Sequence, residues 1–590
     1  MKGLYKYLNG YKKECFLAPF FKLLEAAFEL TVPLVIASLI DTGLANGDKG
    51  YVVKMVLILV AFAFVGYGFA ITAQFFAAKA ATGFATKLRH ALFAHIMKLS
   101  FKESDKQGTS TLITRMTSDV NQTQTAVNLF LRLFLRSPII VFGALIMAFT
   151  VDAKAAVIFA VVIPLLFVIV FFLLSLTIPR FKSVQAALDK LLGLTRENLT
   201  GVRVIRAFGL EEREIINFDT ETDKHRRVQE VAGRISAIMN PATYIVINAA
   251  LIILLYSGAI RVESGALKAG AVVALVNYMS QILVELLKLA NTFISITKGL
   301  ACANRVSAVF NIPEGMEVKV EVDTDAQNTD GKDTHTESSA ISEASREKNS
   351  NGKYSAVKFS HVYMKYNEGG EDALEDIDFE ADYGTVTGII GGTGSGKTSI
   401  VNLIPRFYDA EKGTVYVAGR DVKDYEVASL RDMVGTVMQK AVLFKGTVRE
   451  NLKWGNADAT DDELKEAMQL AQISGIELDR EVEQEGRNFS GGQKQRLSIA
   501  RTLVAEPPIL ILDDSSSALD YATDAALRKA LRTLPWKPAI FIVSQRASTV
   551  QHADKILVLD DGRLVGQGTH EELINTCDVY KEIYASTEQG

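Results

Sequence analysis

The sequence predicts a membrane half of six spanning helices, joined by a polar segment to a soluble α/β half. Three observations carry this. Apolar residues make up 48% of the 590-residue chain and concentrate before about residue 310. Six runs there reach the roughly 20 apolar residues that a helix needs to cross a bilayer. Beyond them, a β-rich run ends in a glycine-rich turn and a helical pattern follows. The length exceeds what one core supports, and the chain is read as residues 1–312, a linker 313–353, and 354–590.

The six runs fall at 16–44, 52–80, 129–151, 155–178, 238–261 and 269–295. The connections alternate between short turns and two long, polar, helix-forming segments near 81–128 and 179–237. The long segments carry the positive charge, including Lys87, Arg89, Lys98, Arg115, Arg180, Arg196, Arg203 and Arg206. The bias of Lys and Arg toward the cytoplasm places both segments, and both termini, on that side. Helices two to five are expected to run well past the bilayer. The stretch Leu4–Lys13 lacks the form of a signal peptide and reads as an interfacial helix leading into the first span.

Charge and cysteine content narrow the function classes. The net charge is −4 and no basic stripe marks a nucleic-acid partner. Cys15, Cys302 and Cys577 are too widely spaced for a metal set or a disulfide framework. They read as thiols of a reducing compartment.

Charges inside a span are costly and face a partner or a cavity. Lys22, Glu25 and Glu29 share one face of the first helix. Arg132 and Arg136 lie four apart at the start of the third, and Gln281, Glu285, Lys288 and Asn291 dot the sixth. Ion pairing or snorkelling accounts for Lys22, Arg132 and Arg136. For the deeper Glu285 an ion pair and a water-filled substrate cavity both stand. The linker is rich in Asp, Glu, Ser, Thr and Asn, and Thr324–Asn351 is expected to be a flexible tether.

In the soluble half, Gly391-Gly392-Thr393-Gly394-Ser395-Gly396-Lys397-Thr398 follows the strand-like Thr385–Ile390 and opens a helix that continues with Ser399. This is the P-loop pattern in its required context. Backbone N–H groups turn onto phosphate oxygens and the helix presents its positive end. Lys397 is expected at the outer phosphates of ATP and Thr398 at Mg²⁺. Downstream, the apolar Ile509–Leu512 delivers Asp513 to the metal shell.

The run Asn488-Phe489-Ser490-Gly491-Gly492-Gln493 precedes a helix carrying Lys494, Gln495 and Arg496. With the P-loop and the six-span plan, it resembles the signature of ABC exporters, and the likeness covers essentially all of 354–590. The run Glu197–Phe208 extends it into the membrane half. The resemblance implies a six-span ABC exporter domain followed by a P-loop NTPase cassette with β- and helical subdomains. It implies that Tyr366 stacks on adenine. Gln439 would touch Mg²⁺ and the attacking water, and Asp520, in Ser517-Ala518-Leu519-Asp520, would lie in a loop crossing a dimer interface. Coupling helices are expected near Glu103–Thr111 and Glu211–Phe218. Glu481–Arg487 stands where exporters keep a loop contacting the intracellular helices, without the usual residue order.

Two departures from the family pattern matter most. A competent cassette has Glu after the strand Asp, and here stands Asp514, its carboxylate withdrawn by about 1.5 Å, one C–C bond. A general base must reach the proton of the attacking water. The switch histidine after Ala539–Val543 is replaced by Gln545, which cannot carry positive charge to the phosphate. In the family's dimers each ATP lies between one chain's P-loop and the other's Ser-Gly-Gly-Gln. The resemblance therefore implies a weakly hydrolytic site of its own, with Asn488, Ser490, Gly491, Gly492 and Gln493 serving the site of a different half-transporter. A slow homodimer and an ATP-gated regulatory or channel subunit are the alternatives. The implied setting is the bacterial cytoplasmic membrane, with lipid around the spans and a drug, lipid or peptide as substrate.

Overall fold

The computed structural model describes residues 3–316, 355–367 and 369–588. The stretch expected to be a flexible tether, Thr324–Asn351, lies outside them. Contacts divide the chain into two units. One comprises the residues up to Met97 together with Gly108–Pro313, and the other comprises Lys98–Gln107 together with the described residues after Pro313.

Among the described residues, six helices are long and apolar enough to cross a membrane. They are α1 (Lys12–Leu44), α2 (Lys49–Met97), α4 (Thr109–Val151), α5 (Ala153–Thr200), α7 (Glu211–Glu263) and α8 (Ala269–Phe310). Between them stand the short α3 (Phe101–Gln107) and α6 (Val202–Ala207). Helices α2 and α5 run for 49 and 48 residues, about 70 Å at 1.5 Å per residue, far beyond a hydrocarbon core of about 30 Å. Helix α5 continues through Pro164 and Pro179. A short 3₁₀ turn, Leu4–Leu8, precedes α1, and Leu4 is buried. Three stretches widen to π-helix: Leu39–Leu44, Arg115–Asp119 and Phe130–Phe134.

Small residues set the close packing of this unit, as is usual for membrane helices. A Cβ on Gly299 of α8 would lie 2.2 Å from the Cβ of Ala126 in α4, so these two helices approach as only glycine allows. Charge sits at the centre of the bundle. Arg136 on α4 pairs with Glu29 of α1 and, at 2.7 Å, with Glu285 of α8. Ser137 donates to the second oxygen of Glu285 at 2.8 Å, and Lys288 reaches the first at 3.0 Å. Lys22 pairs with Glu25 along α1. Glu285, whose side chain is only 3% exposed, is thus held by three donors, and of its two expected settings the ion pair is observed. A lone carboxylate at this depth would carry the cost of an unpaired charge.

The coupling segments differ in detail from the expectation. Helix α3 stops at Gly108, whose φ of +74° breaks the helix, so Thr109–Thr111 begins α4. Glu211–Phe218 is the first part of the long α7. The separate short helix near it is α6, set off by the left-handed Gly209.

Within the second unit, α3 packs on the cassette. The Phe101 and Phe407 rings stack at 4.4 Å, and the Arg431 guanidinium lies 5.6 and 5.2 Å from their centroids. The Tyr408 hydroxyl donates to Asp105 at 2.5 Å.

Strands β1 (Ser355–Met364), β2 (Leu374–Asp382), β4 (Lys412–Val417) and β5 (Arg420–Asp421) form an antiparallel sheet in the order β2-β1-β4-β5. The second sheet uses β3 (Val386–Gly391), β6 (Val434–Val437), β7 (Ile509–Asp513), β8 (Ala539–Ser544), β9 (Lys555–Asp560) and β10 (Arg563–Gly568) in the order β10-β9-β3-β8-β7-β6. It is parallel except for the edge pair β9–β10. Every residue of β3, β7 and β8 is buried, as continuous apolar strands require in a parallel sheet covered on both faces. The carboxyl ends of these three strands lie side by side, where ligands of open α/β sheets bind.

Candidate functional site

The site is built where β3 meets α9 (Lys397–Leu403). Gly396, the residue before the helix, has φ +93°, and a Cβ there would lie 2.7 Å from Leu374 and 2.9 Å from the carbonyl of Ala373. A Cβ on Gly391 would strike the Leu559 carbonyl at 2.2 Å. Glycine is therefore required at both ends of the turn. Lys397 folds its ammonium back over the loop, donating to Gly391 O at 2.9 Å and Gly392 O at 2.5 Å. Burial pushes its pKa below the usual lysine value, and Asp514 and Asp513 partly offset this.

A cavity of about 320 Å³ opens over the loop, within the range of small-ligand sites. Thr393, Gly394, Ser395, Gly396, Lys397, Thr398 and Ser399 line it, with Tyr366, Gln439, Asp513, Asp514 and Gln545 around the rim. Residues from five separate stretches of sequence thus converge on one space. Ala373 and Val543 complete the wall, and the sequence carried no signal for either.

The donor set fits a hard dication. Thr398 Oγ1 donates to Asp513 Oδ1 at 3.2 Å, and burial raises the Asp513 pKa above the ordinary carboxylate value. A hydroxyl and a buried carboxylate at hydrogen-bond distance, with the Gln439 amide on the same rim, are the oxygen ligands Mg²⁺ takes beside phosphate oxygens. Thr398 and Asp513 would hold such an ion, whose chemistry is to offset phosphate charge.

Asp514 and Gln545 stand on the same cavity wall. Asp514 has φ +46°, a left-handed conformation that Asp tolerates better than most residues. Its N–H donates to the Val543 carbonyl at 3.1 Å. Its Oδ2 accepts from the Gln439 amide at 3.2 Å. Thr393 Oγ1 lies 3.5 Å from Gln545 Oε1, the outer limit of a hydrogen bond. Tyr366 closes one side just past β1. Its hydroxyl is 2.9 Å from that of Ser399, and its ring meets Tyr408 edge-on at 5.1 Å. Tyr408 is a support that sequence reasoning missed, because a strand-end tyrosine says nothing of what steadies it.

The signature residues do not line this cavity. Ser490 caps α10 (Gly491–Leu503) in a reciprocal capping box with Gln493, at 3.2 and 3.0 Å. Asn488 donates to Glu481 O at 2.8 Å and accepts from Glu483 N at 3.1 Å, holding the preceding loop. Gly491 and Gly492 begin the helix, and a Cβ on Gly492 would lie 2.9 Å from the Ala518 carbonyl. Asp520 caps α11 (Tyr521–Arg532) by accepting from Thr523 N at 2.8 Å. Gln495 donates to Met438 O at 3.4 Å, a contact between α10 and the residue before Gln439.

Comparison with known proteins agrees with this layout. Residues 15–286 match the ABC transporter transmembrane region and residues 374–517 match the ABC transporter model. An uncharacterized ABC transporter ATP-binding protein of Mycobacterium tuberculosis is 33% identical, covering 99% of this chain and 97% of its own. The uncharacterized ABC transporter ATP-binding protein YfiB of Bacillus subtilis is 32% identical, over 99% and 98%. The solved structure of a bacterial Atm1-family ABC exporter with ATP bound superposes with a TM-score of 0.77, at 22% identity over 98% of both chains. The chain belongs to the ABC transporter family and has its exporter fold, six candidate spans and an ATP-binding cassette on one polypeptide.

Proposed function

We propose that the chain is the weakly hydrolytic subunit of a heterodimeric ABC exporter of the bacterial cytoplasmic membrane, with both termini in the cytoplasm. The observation that carries this is that Asp514 and Gln545 line the same cavity as the P-loop. Both groups expected to drive hydrolysis are therefore the short or uncharged version at one phosphate site. Tyr366, Lys397 and Thr398 stand ready to hold Mg-ATP. Ser490, Gly491 and Gly492 lie outside that cavity at the head of α10, free to face a second cassette. Closure of two cassettes on ATP would act on the spans through α3 and the region of α6. The transported molecule is hydrophobic or amphipathic.

The test compares the chain alone with the chain co-expressed with a second half-transporter that carries Glu and His at the places of Asp514 and Gln545. The pair hydrolyses ATP and the chain alone binds it with little turnover. In the pair, Ser490→Ala removes at least nine-tenths of the activity, and Asp514→Asn leaves most of it. Because Ser490 is also a helix cap, worth about 1 kcal/mol, Ser490→Gly serves as the control that spares the cap. Brisk hydrolysis and transport by the chain alone, or equal losses for positions 490 and 514, contradict the assignment.

A further inference from the structure

The cassette has a separate cavity at the end of its parallel sheet away from the P-loop. It is walled by Val386, the first residue of β3, by Ile540 and Ile542 of β8, and by Arg528, Lys529 and Arg532 of α11. Its volume is about 250 Å³, and it shares no lining residue with the cavity over the P-loop. An adjoining cavity of about 250 Å³ has Val386, Leu531, Arg532 and Ile540 in common with it. Together they reach the range of small-ligand sites, about 300–1,000 Å³.

The charge on this wall is of one sign. Tyr521, Ala525, Arg528, Lys529 and Arg532 recur at helical spacing, which turns them to one face of α11. Arg528 is fixed in place: Nη1 donates to Ser548 O at 2.9 Å and to Thr549 O at 3.2 Å, and Nη2 pairs with Asp524 at 3.0 Å. Its Nε is buried and makes no bond among the described residues, and such an atom in a folded protein calls for an acceptor. The side chains of Lys529 and Arg532 make no hydrogen bond or ion pair among the described residues. Cations in a last turn suit a helix C-terminus, but that gives no reason for them to stand on a cavity floored by Val386, Ile540 and Ile542. In the adjoining cavity Lys537 and Asp554 offset each other. On α11, three cations against the one carboxylate of Asp524 leave two positive charges.

We infer that this cavity binds a small phosphate monoester, with its phosphate on Arg528, Lys529 and Arg532 and its organic part on Val386, Ile540 and Ile542. The charge left over selects the group, since a phosphate monoester carries about −1.5 to −2 at pH 7. An arginine fork gives two parallel charge-assisted bonds to phosphate oxygens, and lysine adds a compact point charge. The inference does not depend on which subunit of an exporter splits ATP.

In the experiment the full-length protein, in nanodiscs, has its P-loop cavity saturated with non-hydrolysable Mg-AMP-PNP. It is titrated by calorimetry with phenyl phosphate, phenol and inorganic phosphate. Phenyl phosphate binds at least tenfold more tightly than either, because phenol lacks the anion and inorganic phosphate lacks the apolar body. Lys529→Gln and Arg532→Gln each weaken it about tenfold, the loss of one charge-assisted bond. Lys465→Gln, which removes a cation outside the cavity, leaves it unchanged. Neither Lys529 nor Arg532 holds another side chain in place, so both variants fold, and equal Mg-AMP-PNP binding checks this. Phenyl phosphate that binds no better than phenol or inorganic phosphate overturns the inference, as does an affinity that Lys529→Gln and Arg532→Gln leave intact.

Discussion

The side-chain amide of Gln439 donates to the Asp514 carboxylate across 3.2 Å. This bond joins the loop after β6 to the end of β7 and holds the shortened carboxylate against a neighbour. Asp514 also has a left-handed backbone, and its carboxylate ends one methylene short of a glutamate's reach. Restoring reach and charge together should therefore restore chemistry. Asp514→Glu combined with Gln545→His, in the assembled exporter with the partner's own site disabled, raises ATP turnover at least tenfold. General-base catalysis contributes about 10²–10⁴-fold. Either change alone gives less, because the two groups face different parts of the reacting phosphate. Phosphate release by the four combinations measures this.

Lys397 makes nucleotide binding depend on pH. Burial lowers its pKa in the free protein, and phosphate oxygens favour the charged form and raise it again. Binding therefore takes up protons in the window above the lowered pKa, and affinity weakens as pH rises through it. Calorimetry in alkaline buffers of different ionisation enthalpy reads the proton uptake directly. In Lys397→Ala the uptake vanishes, affinity falls by about 10- to 100-fold for a lost charged hydrogen bond of about 1.5–3 kcal/mol, and steady turnover of the pair falls less. Filter binding alongside phosphate release separates the two effects.

The readable parts of this molecule are those written in local spacing. The P-loop, the strand ending at Asp513 and the shared helical face of Lys22, Glu25 and Glu29 depend on residues a few positions apart. What joins them is not local. That Arg136 meets Glu29 and Glu285 at once depends on the register of three helices, and neither i,i+4 spacing nor hydropathy records register. The π-helical turns left no trace either, since one extra residue in a turn changes packing and not composition. The second coupling segment went astray for a related reason: charged Glu211–Glu214 opens a long helix as readily as a short one. The break lies at Gly209, whose left-handed backbone only the fold makes evident.

Phe101 has no motif around it, yet its ring carries the packing of α3 in the second unit. It stacks on Phe407 at 4.4 Å under the guanidinium of Arg431. An aromatic pair adds about 0.5–1.5 kcal/mol beyond its buried area, and a cation over a ring about 0.5–1 kcal/mol. Phe101→Ala should loosen α3, leaving basal ATPase near normal while the substrate-stimulated increment falls several-fold. Phe101→Leu, which keeps apolar bulk without the stack, gives an intermediate value. Stimulated and basal rates on the same preparation check this.

The ion network around Arg136 predicts an order of stabilities that simple charge counting does not. Removing Glu285 by Glu285→Gln leaves Arg136 paired with Glu29, with Glu25 nearby at 3.9 Å, and the amide still accepts from Ser137. Removing the arginine by Arg136→Met leaves Glu25, Glu29 and Glu285 grouped without the cation between them. Breaking a buried pair by deleting one partner costs about 3–5 kcal/mol, chiefly because the survivor remains charged and desolvated. Arg136→Met should therefore lower the melting temperature in nanodiscs more than Glu285→Gln. Adding Glu285→Gln to Arg136→Met should recover part of the loss, since it removes one of the repelling carboxylates. Strictly additive losses in the double variant would mean that the two side chains act on the fold independently, despite the 2.7 Å contact between them.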